Sequence, residues 1–148
     1  FPGLTVGVFD WPGVIAGAGE AIEQVPGKDR IALHPGNFFV DDLPDGYPCH
    51  SLVRILHDHD DDRALQLLRA SRRALPPDGR LVIIEPMSGA PQARAVGAYF
   101  ELYLWAMGSG RPRTGQEIGE MLLRAGFSRW KGLPMPQPTI ASGIVAFF

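Results

Sequence analysis

The residues best suited to chemistry lie near the middle of the chain, directly after a short and mostly apolar segment. Leu52–Leu56 has the length and composition of a buried strand, and His57 and Asp58 follow it. Acidic residues then open an amphipathic helix. The histidine is therefore predicted at the carboxyl end of a strand and just before a helix, where open α/β sheets bind their ligands.

A second strand repeats this arrangement and ends in a carboxylate. Arg80–Glu85 is rich in Leu, Val and Ile, and Glu85 occupies the equivalent end. Because histidine titrates near neutral pH, His57 is a candidate general base, and a carboxylate at a neighbouring strand end suggests acid/base work. The alternative is that His57 is only a hydrogen-bonded polar residue at a strand end, and its position leaves both interpretations equally open.

Two other acidic residues each have a structural and a functional interpretation. Asp10 lies between a predicted strand and a predicted helix, where a carboxylate can accept hydrogen bonds from a ribose. The alternative, which its position favours, is that Asp10 caps that helix, with Pro12 in the first turn. Glu117 stands three residues after Thr114, which is the spacing of a capping box and favours a helix start over a catalytic role.

A metal site is a further alternative for the central histidine. The spacing His57-x-His59-x-Asp61 is close to the patterns with which zinc hydrolases bind their metal. The other histidines, His34 and His50, both lie upstream, so no downstream histidine completes a site. The acids at 60–62 are more simply first-turn residues that favour the helix dipole. We therefore predict no metal.

The composition excludes several classes of protein. The chain has 148 residues, 45% of them hydrophobic and 20% charged, which is ordinary for one globular domain. A net charge of -2 argues against a nucleic-acid surface. No apolar stretch approaches the roughly 18 residues of a transmembrane segment. Cys49 is the single cysteine, so no internal disulfide is possible, which is typical of a reducing compartment.

Strands alternate with helices along the chain, which predicts an α/β fold with a mostly parallel sheet and a final hairpin. The predicted strands are Leu4–Phe9, Ile31–Leu33, Ser51–Leu56, Leu81–Glu85, Phe127–Leu133 and Ala141–Phe148. The predicted helices run from Asp10 to about Ala18, from Asp60 to Leu75, from about Pro91 to Met107, and from Thr114 to Ala125. The aromatic side chains of Tyr99, Phe100 and Tyr103 recur at helical spacing and are predicted to join the core.

Several segments, in order along nearly the whole chain, resemble the plant-type family of S-adenosylmethionine-dependent small-molecule O-methyltransferases. They are Val8-Phe-Asp10-Trp-Pro12, Gly36-Asn-Phe-Phe39, Ile55-Leu-His57-Asp58, Gly79-Arg-Leu-Val-Ile-Ile-Glu85-Pro86, Arg113-Thr-Gly-Gln-Glu117 and Ala125-Gly-Phe127. The segment Ala106–Arg113 is similar to the bacterial branch that methylates the tertiary hydroxyl of acyclic carotenoids, the demethylspheroidene or hydroxyneurosporene type. The resemblance implies a Rossmann-like class I methyltransferase sheet.

The resemblance also implies roles for particular residues. His57 matches the base that activates the acceptor hydroxyl, and Glu85 and Glu117 match the acids that flank and orient it. Asp10 matches the ribose ligand of the cofactor S-adenosylmethionine. The pair Asn37 and Phe38 falls where the family has an acid and an apolar residue near the adenine, and His59 stands where Trp is common.

The family's first strand and Gly-rich loop, and its N-terminal helical domain, would precede Phe1. The resemblance therefore implies that residues 1–148 form a single incomplete methyltransferase domain, the carboxyl-terminal part of a cytoplasmic, homodimeric enzyme. By itself this part is expected to be inactive. The expected partner is a small, apolar molecule with a hydroxyl group. A zinc hydrolase using His57 and His59, and a non-catalytic assembly domain, are the alternatives.

Overall fold

The computed structural model describes residues 1–89, 94–135 and 141–148. Its strands are β1 (Val6–Asp10), β2 (Ile31–Pro35), β3 (Cys49–Val53), β4 (Arg80–Glu85), β5 (Arg129–Leu133) and β6 (Ser142–Phe147). Its α-helices are α1 (Pro12–Ile22), α2 (Asp61–Ala74), α3 (Arg94–Met107) and α4 (Gly115–Arg124). Single 3₁₀ turns lie at Lys28–Arg30 and Leu56–Asp58. The alternation of strands and helices confirms the predicted α/β fold.

The described strands form two sheets. β1 and β2 are a parallel pair, and the larger sheet has the order β3-β4-β6-β5. In that sheet β3 is parallel to β4, whereas β6 runs antiparallel to both of its neighbours. Within the larger sheet three strands thus point the same way and β6 runs opposite to them, so parallel pairing is combined with a C-terminal antiparallel hairpin, as predicted. The parallel pairing places the carboxyl ends of β3 and β4 side by side.

The hydrophobic core lies between the larger sheet and helices α2 and α4. The helical stripes predicted from the sequence are buried, and they pack on Leu81, Ile83 and Ile144 of the sheet. The buried members of these stripes are Ala64, Leu67, Leu68, Ser71, Leu75, Ile118, Met121, Leu122 and Ala125. This packing fixes the sheet against the two helices whose first turns lie near His57.

Helix α3 differs from its prediction. Tyr99 and Tyr103 are 65% and 45% exposed, and of the helix residues whose burial is described, Leu104 is the one in the core. The prediction that the aromatic stripe joins the core is therefore wrong for these tyrosines. Helical spacing identifies an apolar face but does not tell what covers it. The predicted start near Pro91 lies outside the described residues.

The predicted ends of two other elements also differ. α1 continues to Ile22, one turn beyond the prediction, since no Pro or charged run stops it at Ala18. β3 ends at Val53 and not at Leu56, because Arg54 adopts a left-handed backbone conformation with φ 57°. His57 consequently lies in a 3₁₀ turn after the strand. None of the helices in the described ranges has the length and apolar character needed to cross a membrane.

Candidate active site

Glu85 organises the turn that carries His57. Its Oε1 accepts hydrogen bonds from the backbone N–H groups of Ile55 and Leu56, each at 2.8 Å. Its Oε2 contacts Nδ1 of His57. Since an ionised carboxylate only accepts hydrogen bonds, this contact assigns the ring proton to Nδ1. Glu85 is 2% exposed and His57 is 5% exposed, so the pair lies in the interior.

The sheet register explains why the two side chains meet. Val53 of β3 pairs with Ile84 of β4, so Glu85 lies one residue beyond the last paired position. The backbone N–H of Arg54 still donates to the carbonyl of Ile84 at 2.8 Å, and the chain then turns across the end of β4. Two strand ends predicted from the sequence to be neighbours are therefore in contact through their polar side chains.

The second ring nitrogen of His57 is directed away from Glu85. Nε2 lies 3.3 Å from Oδ1 of Asp58, whose side chain is 42% exposed. The ring of Phe100 on α3 stands edge-on to the imidazole, with centroids 5.9 Å apart. With Nδ1 held by Glu85, Nε2 is the nitrogen that can accept a proton, and it does so beside an aromatic wall.

Glu117 takes part in the predicted capping box at the start of α4. Its Oε2 accepts from the backbone N–H of Thr114 at 2.7 Å, and the Thr114 hydroxyl accepts from the N–H of Glu117. Oε1 accepts from Arg111 at 2.7 Å. These bonds, first of all the one from the Thr114 N–H, hold the pKa of Glu117 below its ordinary value. In the described structure both carboxylate oxygens are thus engaged with residues other than His57.

Asp10 lies at the carboxyl end of β1 and does not cap the helix. The N-cap of α1 is Trp11, and no side chain caps it. Oδ1 of Asp10 accepts from the N–H of Trp11 at 2.7 Å, and the Asp10 carbonyl accepts from the N–H of Gly36 at 2.9 Å. The capping interpretation of Asp10 is therefore wrong, although Pro12 does occupy the first turn. Within the described ranges, Oδ2 has no hydrogen-bond partner and can receive a ligand.

Asn37 and Phe38 follow β2 at the same sheet end as Asp10. Oδ1 of Asn37 accepts a hydrogen bond from the backbone N–H of Phe39 at 3.0 Å. The backbone N–H of Asn37 donates to the carboxylate of Asp41 at 2.8 Å. The side-chain oxygen of Asn37 therefore stabilises the local turn, which leaves its amide nitrogen for a ligand. Phe38 packs partly against the core.

His59 contacts a different set of side chains from His57. Its ring stands edge-on to Phe38 and Phe39, at centroid distances of 5.7 and 5.1 Å. Desolvation by this burial lowers the pKa of His59. Within the described ranges, no group of three or more His, Cys, Asp or Glu side chains is placed to hold a metal ion.

Two arginines lie near the His57 turn, and their contacts there were not predicted from the sequence. Arg54 is exposed, has a positive φ, and its guanidinium lies over the ring of Phe100 at 5.1 Å. Arg113 is 2% exposed and contacts the backbone of the turn. A non-glycine residue at positive φ marks local strain, and such strain concentrates at functional sites. The sequence gives no sign of the positive φ at Arg54, because arginine has no particular preference for that conformation.

Comparison with known proteins decides the family. The sequence model of a protein family, described as the O-methyltransferase domain, matches residues 1–128. The chain belongs to this family. It is 37% identical, over 147 residues, to the demethylspheroidene O-methyltransferase of Cereibacter sphaeroides, covering 99% of this chain and 39% of that protein. It is 39% identical, over 147 residues, to the same enzyme of Rhodobacter capsulatus, covering 99% of this chain and 36% of that protein.

A solved structure gives the same result for the fold. Human N-acetylserotonin methyltransferase, crystallised in complex with S-adenosylmethionine, matches with a TM-score of 0.84 and 26% identity. The match covers 99% of this chain and 41% of that one. The family resemblance drawn from the sequence motifs is confirmed, including its carotenoid branch. The chain spans less than half the length of these relatives.

The capping box yields a prediction about acid stability. Replacing Glu117 by Gln keeps the box but removes the ion pair with Arg111, so the E117Q variant should be less stable at neutral pH, by no more than about 1 kcal/mol. Because the folded-state pKa of Glu117 is lowered, this contribution is present above the ordinary value of 4.5 and lost as the pH falls through the lowered value. Urea titrations across this pH range measure the gap between the two proteins.

The matched control is E120Q, which removes a carboxylate from the same helix without touching the capping box or Arg111. A gap between wild type and E117Q that persists unchanged in acid would contradict the assigned ion pair.

Proposed function

We propose that this chain is the carboxyl-terminal part of an S-adenosylmethionine-dependent O-methyltransferase in which His57 is the general base. The observation that carries the proposal is the buried contact between Glu85 and Nδ1 of His57, which makes Nε2, 3.3 Å from Oδ1 of Asp58, the nitrogen that takes a proton. A base held in one tautomer, at the carboxyl ends of parallel strands, is suited to deprotonating a bound hydroxyl.

The proposed chemistry needs one proton to be removed as a bond to oxygen forms. S-adenosylmethionine, when bound, supplies the methyl group as an electrophile. Nε2 of His57 accepts the hydroxyl proton, and the carboxylate of Glu85 stabilises the imidazolium that results. An aliphatic alcohol is a weak acid, so its proton leaves late, in the transition state. The dependence on His57 is then strong, and it would be weaker for a phenol.

The residues at the ends of β1 and β2 fit a nucleoside. The free oxygen of Asp10 can accept hydrogen bonds from ribose hydroxyls. The side-chain amide nitrogen of Asn37 can donate a hydrogen bond to an adenine. The ring of Phe38, which contacts the ring of His59 edge-on, offers an apolar surface for the same base. These residues are the proposed contacts of the cofactor, as the family resemblance implies.

Two observations support the proposal that the domain is incomplete. A cavity of about 410 Å³ lies between the facing edges of β1 and β3, with Leu67 and Ser71 of α2 at its base. The Ser71 hydroxyl is buried there and has no hydrogen-bond partner among the described residues. Among the described residues neither facing edge pairs with another strand, and open edges and an unpaired buried hydroxyl are both costly; a further strand between β1 and β3 would pair the two edges and cover the hydroxyl. The family's first strand is the proposed occupant.

The acceptor that we propose is a small apolar alcohol of the carotenoid type. The relatives from Cereibacter and Rhodobacter, which are demethylspheroidene O-methyltransferases, support it. The α3 residues Tyr99, Leu102 and Trp105, on the helix that carries Phe100 to His57, are exposed and would suit an apolar ligand or a further domain of the whole protein. The homodimer and the cytoplasmic location that the resemblance implies belong to the same proposal.

The proposed cofactor contacts can be tested by measuring affinity. Calorimetry should detect S-adenosylmethionine binding by the full-length protein, and binding at least about tenfold weaker by residues 1–148 alone. In the full-length protein, Asp10→Asn should weaken binding by roughly 10- to 100-fold, the worth of a charge-assisted hydrogen bond. Asp78→Asn, in the loop before β4, is the matched control. Equal affinity in both proteins would show that residues 1–148 contain the whole cofactor site.

The proposed base can be tested by its effect on turnover. In the full-length enzyme, His57→Ala should reduce turnover of an alcohol acceptor by about 10²- to 10⁴-fold, the usual contribution of a general base, with little change in cofactor affinity. His34→Gln is the matched control, since His34 lies on β2 and hydrogen-bonds Tyr47 in the loop before β3. Full activity of His57→Ala would sink the proposed mechanism.

The same assay decides the role of Glu117. The family resemblance implies an orienting acid at this position, and the E117Q variant keeps the capping box while removing the charge. A fall in turnover without loss of folded protein would support the catalytic role. Normal turnover would leave Glu117 as a helix cap and partner of Arg111.

A further inference from the structure

Arg113 is a buried cation that contacts the backbone around His57. Its side chain is 1% exposed, and it donates through Nη1 to the carbonyl of Leu56 at 2.7 Å and through Nη2 to the carbonyl of His59 at 2.8 Å. These carbonyls lie on either side of the His57–Asp58 pair. The guanidinium therefore spans the 3₁₀ turn and holds both of its ends.

The guanidinium is itself fixed by a carboxylate. Oδ1 of Asp61, in the first turn of α2, accepts from Nε of Arg113 at 2.9 Å and from Nη2 at 2.8 Å. The Arg113 carbonyl accepts from the N–H of Ser88, just after β4, at 3.0 Å. Through these bonds Arg113 connects α2, the His57 turn and the segment that follows Glu85.

The neighbours of Arg113 in the chain also pack on the same turn. A Cβ added at Gly110, whose φ is 81°, would lie 2.1 Å from the carbonyl oxygen of His57, so only glycine allows this approach. The hydroxyl of Ser109 donates to the carbonyl of Asp58 at 3.3 Å. The segment Ser109–Arg113 thus faces the successive carbonyls of the turn, whereas Glu85 accepts from its N–H groups.

We propose that Arg113 is a positioning residue that fixes the orientation of His57. Burial of a guanidinium is costly unless its donors are satisfied, and here they are satisfied by the backbone of the turn and by Asp61. Glu85 accepts from N–H groups of the turn and Arg113 donates to its carbonyls, so each carries the charge that suits the groups it faces. The inference rests on the proposed function of His57 as the base.

The test is the Arg113→Lys substitution in the full-length enzyme. Lysine keeps the charge but lacks the planar fork that reaches both carbonyls and Asp61 at once. Turnover should fall by about 10- to 100-fold, as expected for a misplaced catalytic group. The KM of the acceptor and the affinity for S-adenosylmethionine should change little, because Arg113 touches neither proposed site. The stoichiometry of S-adenosylmethionine binding, measured by calorimetry, gives the fraction of each protein that is folded and able to bind. Turnover is then expressed per cofactor-binding site.

Arg111→Lys is the matched control, because Arg111 also binds Asp61 but is half-exposed and makes its other contact with Glu117. Its turnover should stay within about twofold of wild type, as for an exposed ion pair. Normal turnover per site in Arg113→Lys would overturn the positioning role while leaving His57 as the base. Full activity of His57→Ala would instead remove the proposed function on which the inference rests.

A second variant covers the case in which Arg113→Lys does not fold. Asp61→Asn leaves Arg113 in place but removes the charge that aims its guanidinium, and Asp61 is largely exposed, so folding is preserved. Turnover per site should fall by roughly 3- to 10-fold, in line with the loss of one charge-assisted hydrogen bond, with the cofactor affinity unchanged. Turnover equal to that of wild type would count against the proposal.

Discussion

The site depends on one buried carboxylate. Glu85 accepts from two successive backbone N–H groups and contacts the His57 ring, and all of these groups lie in the interior or at its edge. A carboxylate without such partners would be strongly disfavoured at this depth, so the turn and the acid stabilise each other. The arrangement requires β3 and β4 to be parallel neighbours in the observed register, since a shift of one residue would direct Glu85 to the other face of the sheet.

Around this carboxylate, charges of both signs match the polarity of the backbone. Glu85 accepts from N–H groups at the start of the His57 turn, and Arg113 donates to carbonyls at both of its ends. Asp61 joins Arg113 to α2, and hydrogen bonds from Arg111 and Arg113 lower the pKa of this carboxyl group. The short 3₁₀ turn is thus held by side chains from the end of β4 and from the segment before α4, and α2 fixes one of them through Asp61. Such support is what a base needs if its nitrogen is to stay within reach of a bound hydroxyl.

Much of this structure could be predicted from the sequence where local rules decide. Periodicity located the buried faces of α2 and α4, and the Thr114–Glu117 spacing gave the capping box. Alternation of strands and helices placed His57 and Glu85 at adjacent strand ends. Rules of this kind failed where long-range packing decides. The left-handed Arg54 ends β3 early, the aromatic face of α3 is exposed, and the role of Arg113 depends on contacts more than fifty residues away in the chain.

The protonation states of the two ring nitrogens of His57 test the proposed base without any need for turnover. Long-range ¹⁵N–¹H correlation spectra of the full-length protein in alkaline buffer, with the demethylated cofactor bound, report each nitrogen separately, and a His57→Gln sample assigns the signals. We expect a proton on Nδ1, bonded to Glu85, and a bare Nε2. A ring protonated at Nε2 and bare at Nδ1 would contradict this assignment, because Glu85 would then face a lone pair and Nε2 could not accept the proton of a hydroxyl.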